Sequence, residues 1–267
     1  MSWKALHSRG ALSCRDDIRT FSVVQEAHEM PSPYFHFQQF SIFQDRCAMK
    51  VGTDGILLGA WVDTTSTRRI LDIGTGTGLL ALMLAQRSPA RIDAIEIDAI
   101  AYEQARENIQ RSPWAERIHI HLGAIQDYEL TCLESYDLIV SNPPFFENAS
   151  KANERSRTLA RHNDSLPPID LLRTAARLLS QDGRLAVIYP TEAAHNFQAK
   201  AEAFNFFCDR KLCVKTTPKS PIKRVLLELS QRPSDRREDA IAIEVSKHFY
   251  TEEYHALTKD FYLRNSP

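Results

Sequence analysis

Two stretches of the chain carry residue types whose spacing suits chemistry. The first, Leu71-Asp72-Ile73-Gly74-Thr75-Gly76-Thr77-Gly78, sets an acid and alternating glycines between an apolar run and the helical pattern of Leu79 to Gln86. Glycines let the backbone approach a ligand closely, and a helix N-terminus offers free N–H groups, so such a turn can hold a polar small molecule. The dinucleotide fingerprint G-x-G-x-x-G, started at Gly74, needs glycine at position 79, where the chain has Leu79. That argues against an NAD or FAD turn. Glu96 ends the next apolar run, where a carboxylate can accept both hydrogen bonds of a ribose diol; the alternative is a solvent-facing acid at a strand terminus. Asp72 either braces the loop backbone or meets a ligand's amino group, and the two roles are compatible.

The second stretch is Ser141-Asn142-Pro143-Pro144-Phe145, directly after the apolar run Tyr136 to Val140. Two prolines fix an extended turn without backbone donors, which leaves the carbonyls of Pro143 and its neighbours as acceptors. Asn142 adds a side-chain carbonyl oxygen. Together these can orient an –NH₂ group and aim its lone pair at an electrophilic methyl, while Phe145 offers a flat face to the ring bearing that amine. An amine conjugated to a ring needs orientation and proximity more than a strong base. The plainer alternative is a proline-rich turn that only ends a strand.

The elements around these stretches alternate between strand and helix. Strands are expected at Arg69 to Ile73, Arg91 to Ile97, Arg117 to His121, Tyr136 to Ser141 and Arg184 to Tyr189. Helices are expected at Leu79 to Gln86, after a cap at Asp98, and at Ile169 to Leu179. This is an α/β sheet pattern. A helix near Glu192 to Phe204 precedes two strands at about Phe206 to Val214 and Val225 to Ser230, joined by a loop alone, which predicts an antiparallel edge hairpin. Upstream, Tyr34 to Gln44 suggests two short strands, and Thr53 to Trp61 a short helix capped by Thr53 or Asp54. Thr251 to Leu263 closes the chain as an amphipathic helix. Residues 1–30 are polar and weakly periodic and end at Pro31-Ser-Pro33, so they are expected to be a poorly ordered extension preceding one catalytic domain over 31–267.

With 43% hydrophobic and 25% charged residues and a formal net charge of −1, the composition is that of an ordinary soluble protein, and global charge points to no partner. Five scattered cysteines without a C-x-x-C pair suggest neither a disulfide framework nor a zinc site, so no metal is expected. No apolar run is long enough to cross a membrane, and Arg9, Arg15, Asp16 and Asp17 stand where a signal peptide needs apolar residues. The expected location is cytoplasmic.

The glycine loop with its preceding acid and Glu96 resembles the Rossmann-like class I methyltransferases, and Asn142-Pro143-Pro144-Phe145 resembles the (D/N)-P-P-(F/Y/W) signature of amino-group methyltransferases. The segment Phe40 to Trp61, together with Ala160-Arg161-His162 and Asp260-Phe261-Tyr262-Leu263, narrows the match. Over roughly residues 34–263 the chain resembles the bacterial valine-tRNA (adenine-37-N6)-methyltransferases. The resemblance implies a mostly parallel, roughly seven-stranded sheet with an antiparallel edge hairpin, and S-adenosylmethionine as cofactor. It implies that Asp72 lies near the methionine moiety, Glu96 at the ribose, and Asp127 in the region that meets the adenine ring. Lys50, Thr53 and Asp54 would lie near cofactor or target, with Thr53 grouped with the cofactor and Lys50 with the RNA.

Two basic runs are expected around the candidate site. Lys151, Arg155, Arg157, Arg161 and His162 follow it, and Arg210, Lys211, Lys215, Lys219, Lys223 and Arg224 form a run with no acid. Either run alone reads as a solvated face; two around one site favour an RNA groove, here for an anticodon stem-loop of tRNA. No obligatory protein partner is evident. The rival readings are guanine amino-group methylation of rRNA, methylation of a protein glutamine amide, and a non-catalytic nucleotide- or RNA-binding module.

Overall fold

The structure, a computed structural model, describes residues 32–47, 49–144, 166–247 and 249–263. The expected extension over residues 1–30 lies outside them. A short antiparallel hairpin, β1 (Tyr34–His36) and β2 (Ser41–Phe43), precedes α1 (Thr53–Trp61). The alternating part then runs β3 (Arg69–Ile73), α2 (Leu79–Arg87), β4 (Arg91–Glu96), α3 (Ala99–Gln110), β5 (Ile118–Leu122), α4 (Ile125–Thr131), β6 (Tyr136–Ser141), α5 (Pro168–Leu178) and β7 (Leu179–Pro190). It continues through α6 (Thr191–Glu202), β8 (Phe207–Lys215), β9 (Ile222–Ser230), β10 (Arg237–Ala242), β11 (Glu244–Ser246), β12 (Phe249–Tyr250) and α7 (Glu252–Thr258). Among the described residues no helix is long and apolar enough to cross a membrane.

The main sheet has eight strands in the order β10-β8-β9-β7-β6-β3-β4-β5. Neighbouring residues on one strand face opposite sides, which explains the unbroken apolar runs. Ile70, Leu138, Ala186 and Leu226 pack with α1, α2 and α7, whereas Leu71, Ile139, Leu185 and Leu227 pack with α5 and α6. From β3 the chain steps outward to β4 and β5, then crosses back to β6 on the other side. The crevice at the carboxyl ends of β3 and β6 is therefore a topological switch point, the usual ligand position in such sheets.

Four expectations are corrected. The hairpin β8–β9 is antiparallel as read, but it is not the edge: β10 pairs parallel to β8 outside it and makes the eighth strand. Arg237–Ala242 reads REDAIA and is largely exposed, so it lacks the apolar alternation that marks a strand. Strand β7 begins at Leu179, directly after α5, with a register shift before Leu138↔Arg184. At α1 the N-cap is Gly52 without a side-chain cap; Thr53 and Asp54 are already helical, and Asp54 is turned to Arg224. The last helix stops at Thr258 and the chain turns, because Phe261 becomes buried and Gln38 bonds the carbonyls of Lys259 and Tyr262. The expected cap at Asp98 forms, accepting the Ala101 N–H at 2.7 Å.

Candidate active site

The turn after β3 owes its shape to Gly74, Gly76 and Gly78, at φ of +72°, +58° and +83°, a region that side chains disfavour. The N–H groups of Gly74 and Thr75 donate to the Ile95 carbonyl at 2.9 and 3.1 Å, which ties the turn to β4. A Cβ on Gly78 would lie 3.5 Å from that of Ala105 in α3, whereas Gly74 and Gly76 face open space. Asp72 is fully buried. Its Oδ2 accepts from the Thr75 hydroxyl (2.6 Å) and the Ala81 N–H (3.2 Å), while Oδ1 has no partner among the described residues. Burial pushes its pKa up to about 7 against these hydrogen bonds. Asp72 thus braces the turn, and one oxygen is left for a ligand.

Glu96, at the end of β4, has more backbone partners than expected. Oε2 accepts from the Gly76 N–H at 2.7 Å, and Oε1 from the N–H groups of Ile97 and Asp98 at 2.9 and 3.0 Å. The carboxylate therefore stitches the glycine turn to the start of α3, and each oxygen keeps lone-pair capacity for a hydroxyl. Next to it two apolar side chains stand in solvent, Ile97 (47% exposed), the following residue, and Leu122 (52% exposed), in register with Glu96 across β4–β5. Sequence reasoning did not single them out. The signal was there: an apolar residue directly after a strand-ending acid, where a loop begins. Asp127 is exposed in the first turn of α4.

An open glycine cradle, a buried carboxylate oxygen without a partner among the described residues and two exposed apolar side chains next to a carboxylate match the ammonium, ribose and adenine of S-adenosylmethionine, so the residues fit that cofactor.

Across the switch point, Ser141 donates its hydroxyl to the Ile73 carbonyl at 2.8 Å and so couples the end of β6 to the glycine turn. Asn142 is half-buried, and its Oδ1 is buried without a partner among the described residues. An unsatisfied buried acceptor costs on the order of 1–3 kcal/mol, so it marks a position that gains from an incoming donor. Pro143 is buried and Pro144 exposed. A Cβ on Gly55 would lie 3.9 Å from Asn142 Nδ2 and 2.9 Å from Leu79 Cδ2, so α1 lies directly against the tetrapeptide and α2. Phe145, Lys151, Arg155, Arg157, Arg161 and His162 lie outside the described residues.

Topology carries the second basic run to the same end of the sheet. Strand β8 runs parallel to β7, and the turn at 216–221 returns into β9, where Arg224 pairs with Pro190 at the carboxyl end of β7. Lys215, Lys219, Lys223 and Arg224 are thus at the carboxyl end with the glycine turn and Asn142. Thr53, Asp54, Leu57, Lys215, Lys223 and Arg224 line a cavity of about 260 Å³, so Thr53 is grouped with the basic residues. The acid-free run finds acids in space. Arg210 pairs with buried Glu228 (2.8 Å) and lies over the Trp61 ring; Lys211 pairs with Glu238 (2.9 Å) and Arg224 with Asp54 (2.8 Å). Lys215, Lys219 and Lys223 have no carboxylate partner among the described residues. Lys50 is exposed, its ammonium donating to the Gln44 carbonyl.

Comparison with known proteins shows the family and the fold. Residues 47–205 match the family model described as the methyltransferase small domain. A tRNA1(Val) (adenine(37)-N6)-methyltransferase of Trichodesmium erythraeum is 58% identical over 233 residues, 86% of this chain and 98% of that protein. One of Bacteroides fragilis is 46% identical over 88% of this chain and all of the relative. Among solved structures, a predicted O-methyltransferase of Agrobacterium tumefaciens superposes with a TM-score of 0.60 at 19% identity, covering 78% of this chain and 96% of that one. A ribosomal protein L11 methylase of Lactobacillus delbrueckii gives 0.52 at 16% identity, covering 72% and 84%; at such identities these two speak for the fold alone. The chain belongs to the family of tRNA1(Val) (adenine(37)-N6)-methyltransferases, S-adenosylmethionine-dependent enzymes built on the methyltransferase small domain.

Proposed function

We propose that this chain methylates the exocyclic N6 amine of adenine 37 in the anticodon stem-loop of tRNA1(Val), at the crevice between the glycine turn and Asn142-Pro143-Pro144. The observation that carries the reading is the buried Oδ1 of Asn142, without a partner among the described residues, across the switch point from an open glycine cradle. In this mechanism Asn142 Oδ1 and the Pro143 carbonyl accept the two amine hydrogens and hold the nitrogen lone pair toward the cradle. Phe145 stacks on the adenine. When bound, S-adenosylmethionine supplies a methyl group on a positively charged sulfur, an electrophile needing no further activation. The surplus proton on nitrogen passes to water after transfer, and no general base is required. Asp72 Oδ1 receives the cofactor's ammonium, Glu96 its ribose diol, and Ile97 and Leu122 flank its adenine, with Asp127 at the rim. A base in an anticodon loop is unpaired and enters at modest cost. This reading implies a cytoplasmic enzyme, where its tRNA substrate would be met.

Mass spectrometry of nucleosides from tRNA incubated with protein and cofactor tests the reading: N6-methyladenosine should arise at position 37 of tRNA1(Val). N2-methylguanosine in rRNA, or a methylated glutamine in protein, would overturn it.

Two further outcomes are expected. Replacing Lys215, Lys219 and Lys223 by alanine should weaken RNA binding and lower the slope of log affinity against log salt by about 2, since each phosphate contact contributes about 0.7–0.9. An unchanged slope would return these lysines to a solvated face. Arg224, held by Asp54 at 2.8 Å, is better read as positioning α1 against β9. The second outcome concerns pH. The Asp72 carboxyl titrates near 7 in the fold and near 3.8 when unfolded. Its neutral form is thus favoured by folding, a contribution complete below pH 3.8 and lost as pH rises to about 7. Urea denaturation should show wild-type stability falling across this window relative to Asp72→Asn, whereas parallel profiles would contradict the buried-acid assignment. Cofactor affinity should rise over the upper part of the same window in the wild type alone, because only the ionised carboxylate attracts an ammonium.

A further inference from the structure

Beyond β10 the chain forms a small hairpin whose outward side chains are unlike those of a simple chain-closing turn. Strands β11 and β12 pair Glu244 with Tyr250 and Ser246 with Phe249. Val245, Phe249 and Tyr250 are 63%, 70% and 42% exposed, and Lys247, which follows β11, is exposed as well. A connection that had only to reverse the chain would carry polar turn residues here.

The base of the hairpin is fixed. Ile243 and Glu244 donate their N–H groups to the carbonyls of Lys215 and Thr216, each at 2.9 Å, and Thr251 N–H bonds the Ile243 carbonyl at 3.0 Å. The Tyr250 ring lies 5.1 Å from that of Tyr254, whose side chain is buried. Phe249 is therefore presented to solvent by an anchored base. This root continues the pairing of β10 with β8 into the turn that carries Lys219. Ile243 itself lines the cavity with Thr53, Asp54, Lys215 and Arg224, and α1, which starts at Thr53, lies against Asn142. The hairpin is contiguous with the basic end of the sheet, and Glu252 and Glu253, in the first turn of α7, follow it.

Exposed aromatics on a hairpin rooted at a strand end that carries lysines without a carboxylate partner among the described residues have the composition of a single-stranded nucleic-acid platform, where rings stack on bases and ammonium groups meet phosphates. Protein interfaces, by contrast, are depleted in lysine. We infer that the β11–β12 hairpin is a second RNA contact, in which Phe249 stacks on an unpaired base of the substrate loop other than the target, while Lys215, Lys219 and Lys247 take flanking phosphates. This inference rests on the RNA reading above and deepens it: the hairpin would make affinity depend on loop nucleotides that undergo no chemistry.

The test uses the full chain and a synthetic anticodon stem-loop of tRNA1(Val). Wild-type Kd is measured by fluorescence anisotropy, with cofactor affinity by calorimetry and thermal melting as controls. Phe249→Ala should raise the RNA Kd about tenfold with cofactor affinity and melting temperature unchanged, Phe249→Tyr should restore it, and Phe249→Leu should not, because stacking needs a flat face rather than apolar area. Substituting an abasic site for each loop nucleotide in turn should reproduce the tenfold loss at one position other than 37, and that loss should vanish in Phe249→Ala. If the wild type binds the stem-loop and Phe249→Ala binds it equally, the hairpin contact is wrong and the RNA reading stands. If Phe249→Leu binds like the wild type, or the free protein self-associates through Phe249 with RNA binding unaffected, the hairpin is an apolar protein-docking patch and the inference is overturned. Failure of the wild type to bind the stem-loop would instead remove the RNA reading and this inference with it.

Discussion

Asn142→Ala is expected to lower the single-turnover methylation rate at saturating cofactor on the order of 10²-fold, the usual cost of losing the alignment of a reacting group. The amine then keeps one acceptor, the Pro143 carbonyl, and rotates out of line. The structure explains why the loss should be confined to rate: among the described residues Asn142 Oδ1 makes no hydrogen bond that alanine would break. Folding and cofactor affinity should therefore persist. Asn142→Asp presents oxygen at the same place and should retain far more activity than alanine. Phe145→Ala, by contrast, should weaken RNA engagement by about 1–3 kcal/mol as well as rate, and Phe145→Tyr should keep much of both because the ring face survives. A wild-type rate in Asn142→Ala would reduce the tetrapeptide to a turn that ends β6.

Glu96→Ala should weaken S-adenosylmethionine binding by at least about 1.5–3 kcal/mol, a ten- to hundredfold rise in Kd. The sequence supplies only the lost ribose contacts. The structure adds that the N–H groups of Gly76, Ile97 and Asp98 lose their acceptor together, so the cradle itself loosens. The ligand-free protein should accordingly melt at a lower temperature. The isosteric Glu96→Gln is not conservative here: both oxygens face backbone donors, and whichever way the amide turns, its NH₂ meets an N–H. Titration calorimetry on both variants separates the roles. Unchanged affinity in Glu96→Ala removes this residue from the site, while a low melting temperature with normal affinity would leave it only the structural role.

The paired apolar runs of β3, β4, β6 and β7, the acid-glycine turn and the proline turn were all legible because each is written in a few adjacent residues. Periodicity of two or 3.6, a glycine at positive φ and a proline without N–H act locally, so their consequences can be read before the chain is folded. β10 is not legible for the same reason: with little apolar alternation of its own, it is held by its pairing to β8. The amphipathic pattern of the C-terminal helix continues past Thr258, but burial of Phe261 and the bonds from Gln38 take the last residues elsewhere.

What the sequence determined by itself was the α/β class, the order in which the glycine turn, Glu96 and the Asn142-Pro143-Pro144 turn follow one another, and the methyl-transfer class of the chain. Tertiary structure alone decided which groups remain available. It engaged both oxygens of Glu96, left one oxygen of Asp72 and one of Asn142 without a partner among the described residues, neutralised Arg210, Lys211 and Arg224 against acids from other strands and helices, and rooted the hairpin that carries Phe249 on the end of β8 at Lys215 and Thr216. Asp54 and Arg224 are 170 positions apart. Such pairings depend on the distance between charges in the folded chain, which falls with packing and not with sequence separation, so a run of basic residues reveals its free members only once its partners are in place.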